Sequence, residues 1–138
     1  MVIALGNCIV NIEIAWLDDN KTAIVYTFRA GWSWNDFAHN NKIATEMLDG
    51  IDHKADIILD FSARTVPPPN ALSNFQRMMR EAPHPKQGRL ILVGARILFR
   101  TIAKQFVRLV SKSSQEILVA NSLDEAREMV ELQHQKNG

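Results

Sequence analysis

The fifteen residues from Asp56 to Asn70 constrain this chain more than any others. They open as Asp56-Ile57-Ile58-Leu59-Asp60-Phe61, a short apolar run of the kind that forms a strand buried on both faces. Ser62-Ala63-Arg64-Thr65-Val66 then leads into Pro67-Pro68-Pro69. A proline has a fixed φ and no N–H, so this part is barred from a helix interior and from a central strand. Asn70 closes the segment and is of a type that caps the helix that follows. A buried strand that enters a helix through a stiff loop is half of a β-α-β unit. Ligands of open α/β sheets gather outside the carboxyl ends of the strands. Any site in this chain is therefore expected at this corner.

The flanking sequence supplies the rest of an α/β domain. Ile9 to Trp16 alternates, with Val10, Ile12, Ile14 and Trp16 on one, apolar face and Ile9, Asn11, Glu13 and Ala15 on the other, more polar one, the period of a half-buried strand. Leu17 to Lys21 reads as a turn, and Thr22 to Phe28, rich in β-branched and aromatic residues, as a second strand in an antiparallel hairpin. Ser33 with Asp36 forms a capping box ahead of a helix whose apolar stripe is Phe37, Ile43, Ala44, Met47 and Leu48, with Gly50 as its stop. Asn70 to Ala82 reads as a second helix with Leu72, Phe75, Met79 and Ala82 inward, ended by Pro83. Arg89 to Val93 between Gly88 and Gly94 is another buried strand, Arg96 to about Val110 a third helix, and Glu116 to Ala120 a fifth strand. Ser122 with Glu125 is a second capping box for a helix from Leu123 to about His134 that buries Leu123, Ala126, Val130 and Met129. The order β-β-α-β-α-β-α-β-α predicts one domain over residues 1–138, with a mixed sheet of five strands, an N-terminal hairpin and four helices.

Bulk properties exclude several classes. Sixteen basic against fifteen acidic residues leave a net charge of +1, so no global field draws nucleic acid or a membrane surface. Cys8 is the only cysteine, which excludes an internal disulfide and a multi-cysteine zinc site. Cys8 itself reads as a small core residue. No apolar run reaches the ~18 residues of a membrane span, and Met1 to Val10 lacks the basic start and cleavage site of a signal peptide. The expectation is a cytoplasmic protein.

At this point the order of elements resembles the STAS domain, the fold of SpoIIAA-like anti-sigma-factor antagonists. The resemblance covers roughly Ile9 to Val130. It rests on Ile57-Ile58-Leu59-Asp60-Phe61-Ser62 before a loop and helix, on Gly88-Arg89-Leu90-Ile91-Leu92-Val93-Gly94, on Glu116-Ile117-Leu118-Val119 and on Ser122-Leu123-Asp124-Glu125-Ala126. In that family the loop after the strand carries Asp-Ser-Ser/Thr-Gly, whose second hydroxyl residue is phosphorylated by a partner kinase. Pro68-Pro69-Asn70-Ala71 stands there in this chain. Asn70 falls at the phosphoacceptor position and has no hydroxyl. The resemblance thus implies a divergent member without that phosphorylation.

The residues offer few catalytic constellations. Asp60 and Ser62 end the strand at the ligand-accessible rim, where Asp60 either positions a ligand or bonds backbone groups of the loop. Arg96, Arg100, Lys104, Arg108 and Lys112 recur every four residues, and with Lys86 and Arg89 they make a run of seven cations without an acid. That run is either a contact surface for an acidic protein, a phospholipid headgroup or, least of all, nucleic acid, or a solvated face offset by the acidic last helix. Trp32 and Trp34 flank Ser33 and either line an apolar pocket or close the core edge. His39, His53, His84 and His134 show no metal-ligand spacing, though His39 and Asp36 can pair locally, and no phosphate loop or nucleophile elbow is present.

The expected function is a non-enzymatic STAS-like module that binds a protein partner or a small apolar, lipid-like ligand. Its contact residues would be Asp60, Ser62, Pro68, Pro69 and Asn70 at the corner, with Arg96, Arg100, Lys104 and Arg108 as a second surface. No cofactor, no metal and no nucleic-acid partner is expected. A small enzyme with a pocket near Asp60 and Ser62 is the alternative. A homodimer through an apolar helix face is a third reading.

Overall fold

The strand that follows Lys54 is the middle of the sheet, and every one of its six residues is buried, as a doubly covered strand requires. The computed structural model describes residues 11–63, 68–81, 83–94 and 116–137. Within them the elements are β1 (Ile12–Trp16), β2 (Ala23–Phe28), α1 (Trp34–Asp49), β3 (Ala55–Asp60), α2 (Ala71–Arg80), β4 (Gln87–Val93), β5 (Ile117–Ala120) and α3 (Leu123–Asn137). The expected helix from Arg96 to Val110, and Ile9 and Val10 of the expected first strand, lie outside the described residues.

One five-stranded mixed sheet runs in the order β1-β2-β3-β4-β5. β1 and β2 are antiparallel, with Ile14 opposite Tyr26, and the remaining neighbours are parallel. The hairpin turn is held by Asp18, whose carboxylate accepts the Thr22 N–H at 2.9 Å and the Thr22 hydroxyl at 2.5 Å. The left-handed residue of that turn is Lys21 at φ 56°.

Strands that step across the sheet in one direction through right-handed crossovers put the connecting helices on one face. The packing follows that rule. Ile24, Tyr26 and Phe28 of β2, Ile57 and Leu59 of β3, and Leu90 and Leu92 of β4 share a core with Phe37, Ala44 and Leu48 of α1, and Met78 of α2 packs against it. The opposite face, with Val25, Ile58, Ile91, Val93 and Ala120, is closed by Ala126 and Val130 of α3, with Leu123 and Met129 beside them. The inward residues expected for the last helix are thus the ones that pack. The side chains of Leu72, Phe75, Met79 and Ala82 lie outside the described residues.

The starts of α1 and α3 use the expected residues. At α1, Ser33 Oγ accepts the Asp36 N–H at 3.1 Å and the Asp36 carboxylate accepts the Ser33 N–H at 2.9 Å. The Asp36 carboxylate therefore serves the cap, and no bond to His39 is formed among the described residues. At α3, Ser122 Oγ accepts the Glu125 N–H at 3.1 Å, while the Glu125 carboxylate reaches one residue further back, to the Asn121 N–H.

Tyr26 is the only tyrosine in the chain. It is buried, and its hydroxyl donates to Asn41 Oδ1 at 2.7 Å. Burial pushes its phenol far above the ordinary 10.0. An unfolded chain ionises its tyrosine near pH ~10, while the folded one keeps the proton, so the stability this burial carries is complete below that pH and falls as pH rises further. Difference absorbance should show no tyrosinate in the folded protein just above pH ~10 and a full signal once the chain unfolds. Ionisation at the ordinary pH in a folded sample would contradict the described packing.

Candidate functional site at the corner after the third strand

β3 ends with its buried carboxylate turned to local use. Asp60 is 6% exposed, and its Oδ1 accepts both the Ser62 N–H at 2.9 Å and the Ser62 hydroxyl at 2.6 Å. This closes the chain into a tight turn as it leaves the sheet. The sheet supports the turn from the side: the Phe61 N–H donates to the Val93 carbonyl at 2.8 Å, and Gly94 sits next to Ser62 at φ +73°. A Cβ at Gly94 would lie 3.1 Å from the Ser62 Cα and N, so close approach and backbone conformation both call for glycine there.

The far side of the loop is pinned by an aromatic. The Trp34 indole N–H donates to the Pro69 carbonyl at 2.9 Å. Trp34 stands edge-on to Trp32 at 4.9 Å, and Trp32 to Phe28 at 4.8 Å, so the loop is tied to the centre of the core through a line of rings. Trp32 is buried and Trp34 is half-buried against the same core, so the pair closes the core edge.

Asn70 departs from expectation. It occupies the N-cap position of α2, but its side chain makes no capping bond. The reason is its backbone. Asn70 is in the left-handed region, φ 64° and ψ 31°, where a cap normally needs an extended residue. Asparagine is tolerated there better than most residues. Its carbonyl accepts from the Asn74 N–H at 3.0 Å and from Asn74 Nδ2 at 2.9 Å. Asn70→Gly should therefore leave stability within ~0.5 kcal/mol, whereas Asn70→Ser, an adequate side-chain cap, should lose about 1 kcal/mol from left-handed strain. Urea midpoints of the two variants check this, and a neutral Asn70→Ser with a destabilised Asn70→Gly would restore the capping role.

Ser62, Pro69 and Asn70 are exposed and Pro68 is half-exposed, so the corner faces solvent. Arg96, Arg100, Lys104 and Arg108 lie outside the described residues. Two cations of the same run are corrected. Arg89 is not on a contact surface: its guanidinium bonds the Asp56 carboxylate at 2.8 Å, and the two side chains are only 13% and 10% exposed. Lys86 donates its ammonium to the Ile51 carbonyl.

Three clefts lie away from the corner, and Asp60, Ser62, Pro69 and Asn70 line none of them. One of about 190 Å³ opens between α1 and α2, with Tyr26, Asn41, Glu81 and His84 among its walls. His84 is fully engaged there: Nε2 faces Asp49 at 2.7 Å and Nδ1 accepts the Lys86 N–H at 3.0 Å, so neither ring nitrogen is free to act as a base. A second cleft, of about 140 Å³, surrounds Asp56, Gly88 and Arg89 at the other end of the sheet. At that end His53 is held above its usual pKa, first by its bond to the Lys21 carbonyl at 3.0 Å and then by Asp52 at 3.3 Å. The third cleft runs beside β1. Among the described residues no three histidine, cysteine or acidic side chains are grouped as a metal site. No helix among them is long and apolar enough to cross a membrane.

Sequence reading missed the Asp56–Arg89 pair, the His84–Asp49 contact and the groove at β1. A signal for the first was present in Gly88, which stands immediately before a cation at the start of a strand. No family model, no curated protein and no solved structure matches this chain.

Proposed function

We propose that this chain is a non-enzymatic binding module of the SpoIIAA-like STAS kind, and that its proline corner presents a fixed shape to a protein partner. The supporting observation is the pair of anchors at the corner. One oxygen of Asp60 takes both the Ser62 N–H and the Ser62 hydroxyl, and Trp34 takes the Pro69 carbonyl. A carboxylate is a weak base for a serine hydroxyl, and this one has its lone pairs divided between a backbone amide and that hydroxyl, with no histidine to relay the proton. The arrangement serves shape better than turnover. Contact residues held in this way at the described ends of the loop lose little conformational entropy when they are bound.

The absent hydroxyl at Asn70 separates this module from the phosphorylated antagonists it resembles. Its contact is then set by shape, with no covalent switch at that residue. The test uses the full chain and the variants Asn70→Arg and Ser62→Arg, each matched to the parent in thermal midpoint. A partner captured by the parent is purified and titrated against all three. Loss of affinity by about tenfold or more in both variants supports the reading. A partner held equally by all three overturns it, as does phosphate found on Ser62 or Ser73 in the natively produced chain.

A further inference from the structure

Among the described residues β1 ends the sheet, paired on one side by β2. Two backbone bonds fix which of its groups face inward. The Arg29 N–H donates to the Asn11 carbonyl at 2.7 Å, and the Leu17 N–H donates to the Ala23 carbonyl at 2.8 Å. In an antiparallel ladder the bonded positions alternate. Asn11, Glu13, Ala15 and Leu17 therefore spend their N–H and C=O groups on β2, and Ile12, Ile14 and Trp16 point theirs away from the sheet. Edge strands are blunted by short length, by charged side chains, by proline, by a bulge or by a covering helix or loop, and β1 uses short length and the one charge of Glu13. The sequence Ile12-Glu13-Ile14-Ala15-Trp16 has no proline and no lysine, and its register with β2 is unbroken by a bulge.

Beside that edge lies the groove of about 550 Å³, formed by Asn11 to Ala15 and by Asp36, His39, Asn40 and Ile43 of α1. Ile43 is half-buried and joins neither hydrophobic core formed by the described residues, so it lends an apolar side chain to the groove. The charged residues of the lining are Glu13 and Asp36, and no lysine or arginine lines it. Glu13 pairs with Arg29 at 3.0 Å, but both side chains are more than half exposed, where such a pair is weak and easily shared.

We propose that the edge of β1 receives an extended segment of a partner protein by strand addition, with apolar and cationic residues alternating along it. The outward N–H and C=O groups of Ile12, Ile14 and Trp16 supply the ladder. Apolar side chains of the segment face Ile14 and Ile43, and its cations, which alternate to the opposite face, lie over Glu13. This surface is separate from the proline corner and stands without it.

The test titrates isotope-labelled full chain with acetyl-Lys-Val-Lys-Val-Lys-Val-amide and, as control, with acetyl-Val-Val-Val-Lys-Lys-Lys-amide. The alternating peptide is expected to shift the amides of Ile12, Ile14 and Trp16 in a saturable way, with the block peptide at least about tenfold weaker. Ile14→Pro removes an N–H that the fold itself does not use and should weaken binding by about tenfold or more. Ile43→Lys, outside both cores, should do the same by charge and lost apolar contact, and keeps the test intact if the proline variant unfolds. Four results would overturn the proposal: no saturable shift, shifts unchanged by both variants, amides of Ile12 and Ile14 already protected from exchange in the chain alone, or sedimentation showing that the edge is filled by a second copy.

Discussion

Asp56→Ala should cost about 3–5 kcal/mol of folding stability, the cost of leaving one partner of a buried ion pair uncompensated. The carboxylate does two jobs. β4 carries an extra residue opposite Asp56, since Ala55 pairs with Gln87 but Ile57 pairs with Leu90. That bulge removes the Arg89 N–H from the ladder, and Asp56 Oδ1 accepts it at 2.6 Å, while Oδ2 accepts from the guanidinium at 2.8 Å. Arg89 also donates to the Met129 carbonyl at 3.1 Å, which ties the bulge to α3. Its Nε is buried with no partner among the described residues, so the guanidinium depends heavily on Asp56.

Gly88 is part of the same device. A Cβ there would stand 2.4 Å from Asp56 Oδ1, inside any allowed contact. Gly88→Ala should thus displace the carboxylate and lose most of what Asp56→Ala loses, and the two substitutions together should cost far less than their sum. Replacing both charges, Asp56→Leu with Arg89→Met, should be more stable than Asp56→Ala alone, because no charge is then left buried. Urea denaturation of the four variants reads all of these, and additive losses would show that glycine and carboxylate act independently.

The second large effect is expected at Phe28. Phe28→Ala should remove about 3–5 kcal/mol. The ring is fully buried, stacked on Phe61 at 4.4 Å, and edge-on to Trp32 at 4.8 Å and to Phe37 at 5.6 Å. Aromatic pairs of this kind add ~0.5–1.5 kcal/mol beyond area burial, and the cavity cannot collapse easily between two sheet strands and a helix. The loss has a functional side. Trp32 and Trp34 reach the corner from this cluster, so the anchor on Pro69 should loosen with it. Tryptophan fluorescence during denaturation measures the stability, and amide exchange at Asn70 and Ala71 measures the loosening. A loss below ~1 kcal/mol would mean that the ring is far less tightly held than described.

How much was legible differs from element to element. The alternation of Ile12, Ile14 and Trp16 against Glu13 and Ala15 marks β1, because a strand's side chains alternate whatever it pairs with. The apolar run at Ile57 to Leu59 marks β3 as doubly buried. Ser33 with Asp36 and Ser122 with Glu125 mark two helix starts, since a cap bond spans only three residues. Asn70 shows the limit of that reasoning. The residue type allows a side-chain cap or a left-handed turn, and the backbone at φ 64° takes the second. Arg89 shows it again, because a cation in a basic run looks solvated until its partner is known.

By itself, then, the sequence determined the order and type of the described elements and the inward faces of β1, β3 and α3. These depend on contacts within a few residues and on side-chain period. Tertiary structure alone decided that Asp56 and Arg89, 33 residues apart, meet across a bulge. It also decided that Trp34 holds Pro69, 35 residues away, and that, among the described residues, β1 is the edge strand of the sheet beside α1. Each of these follows from strand order and from a one-residue change of register. Pairing energies across a sheet depend on which strands become neighbours, and that is settled only when both faces of the sheet are buried together.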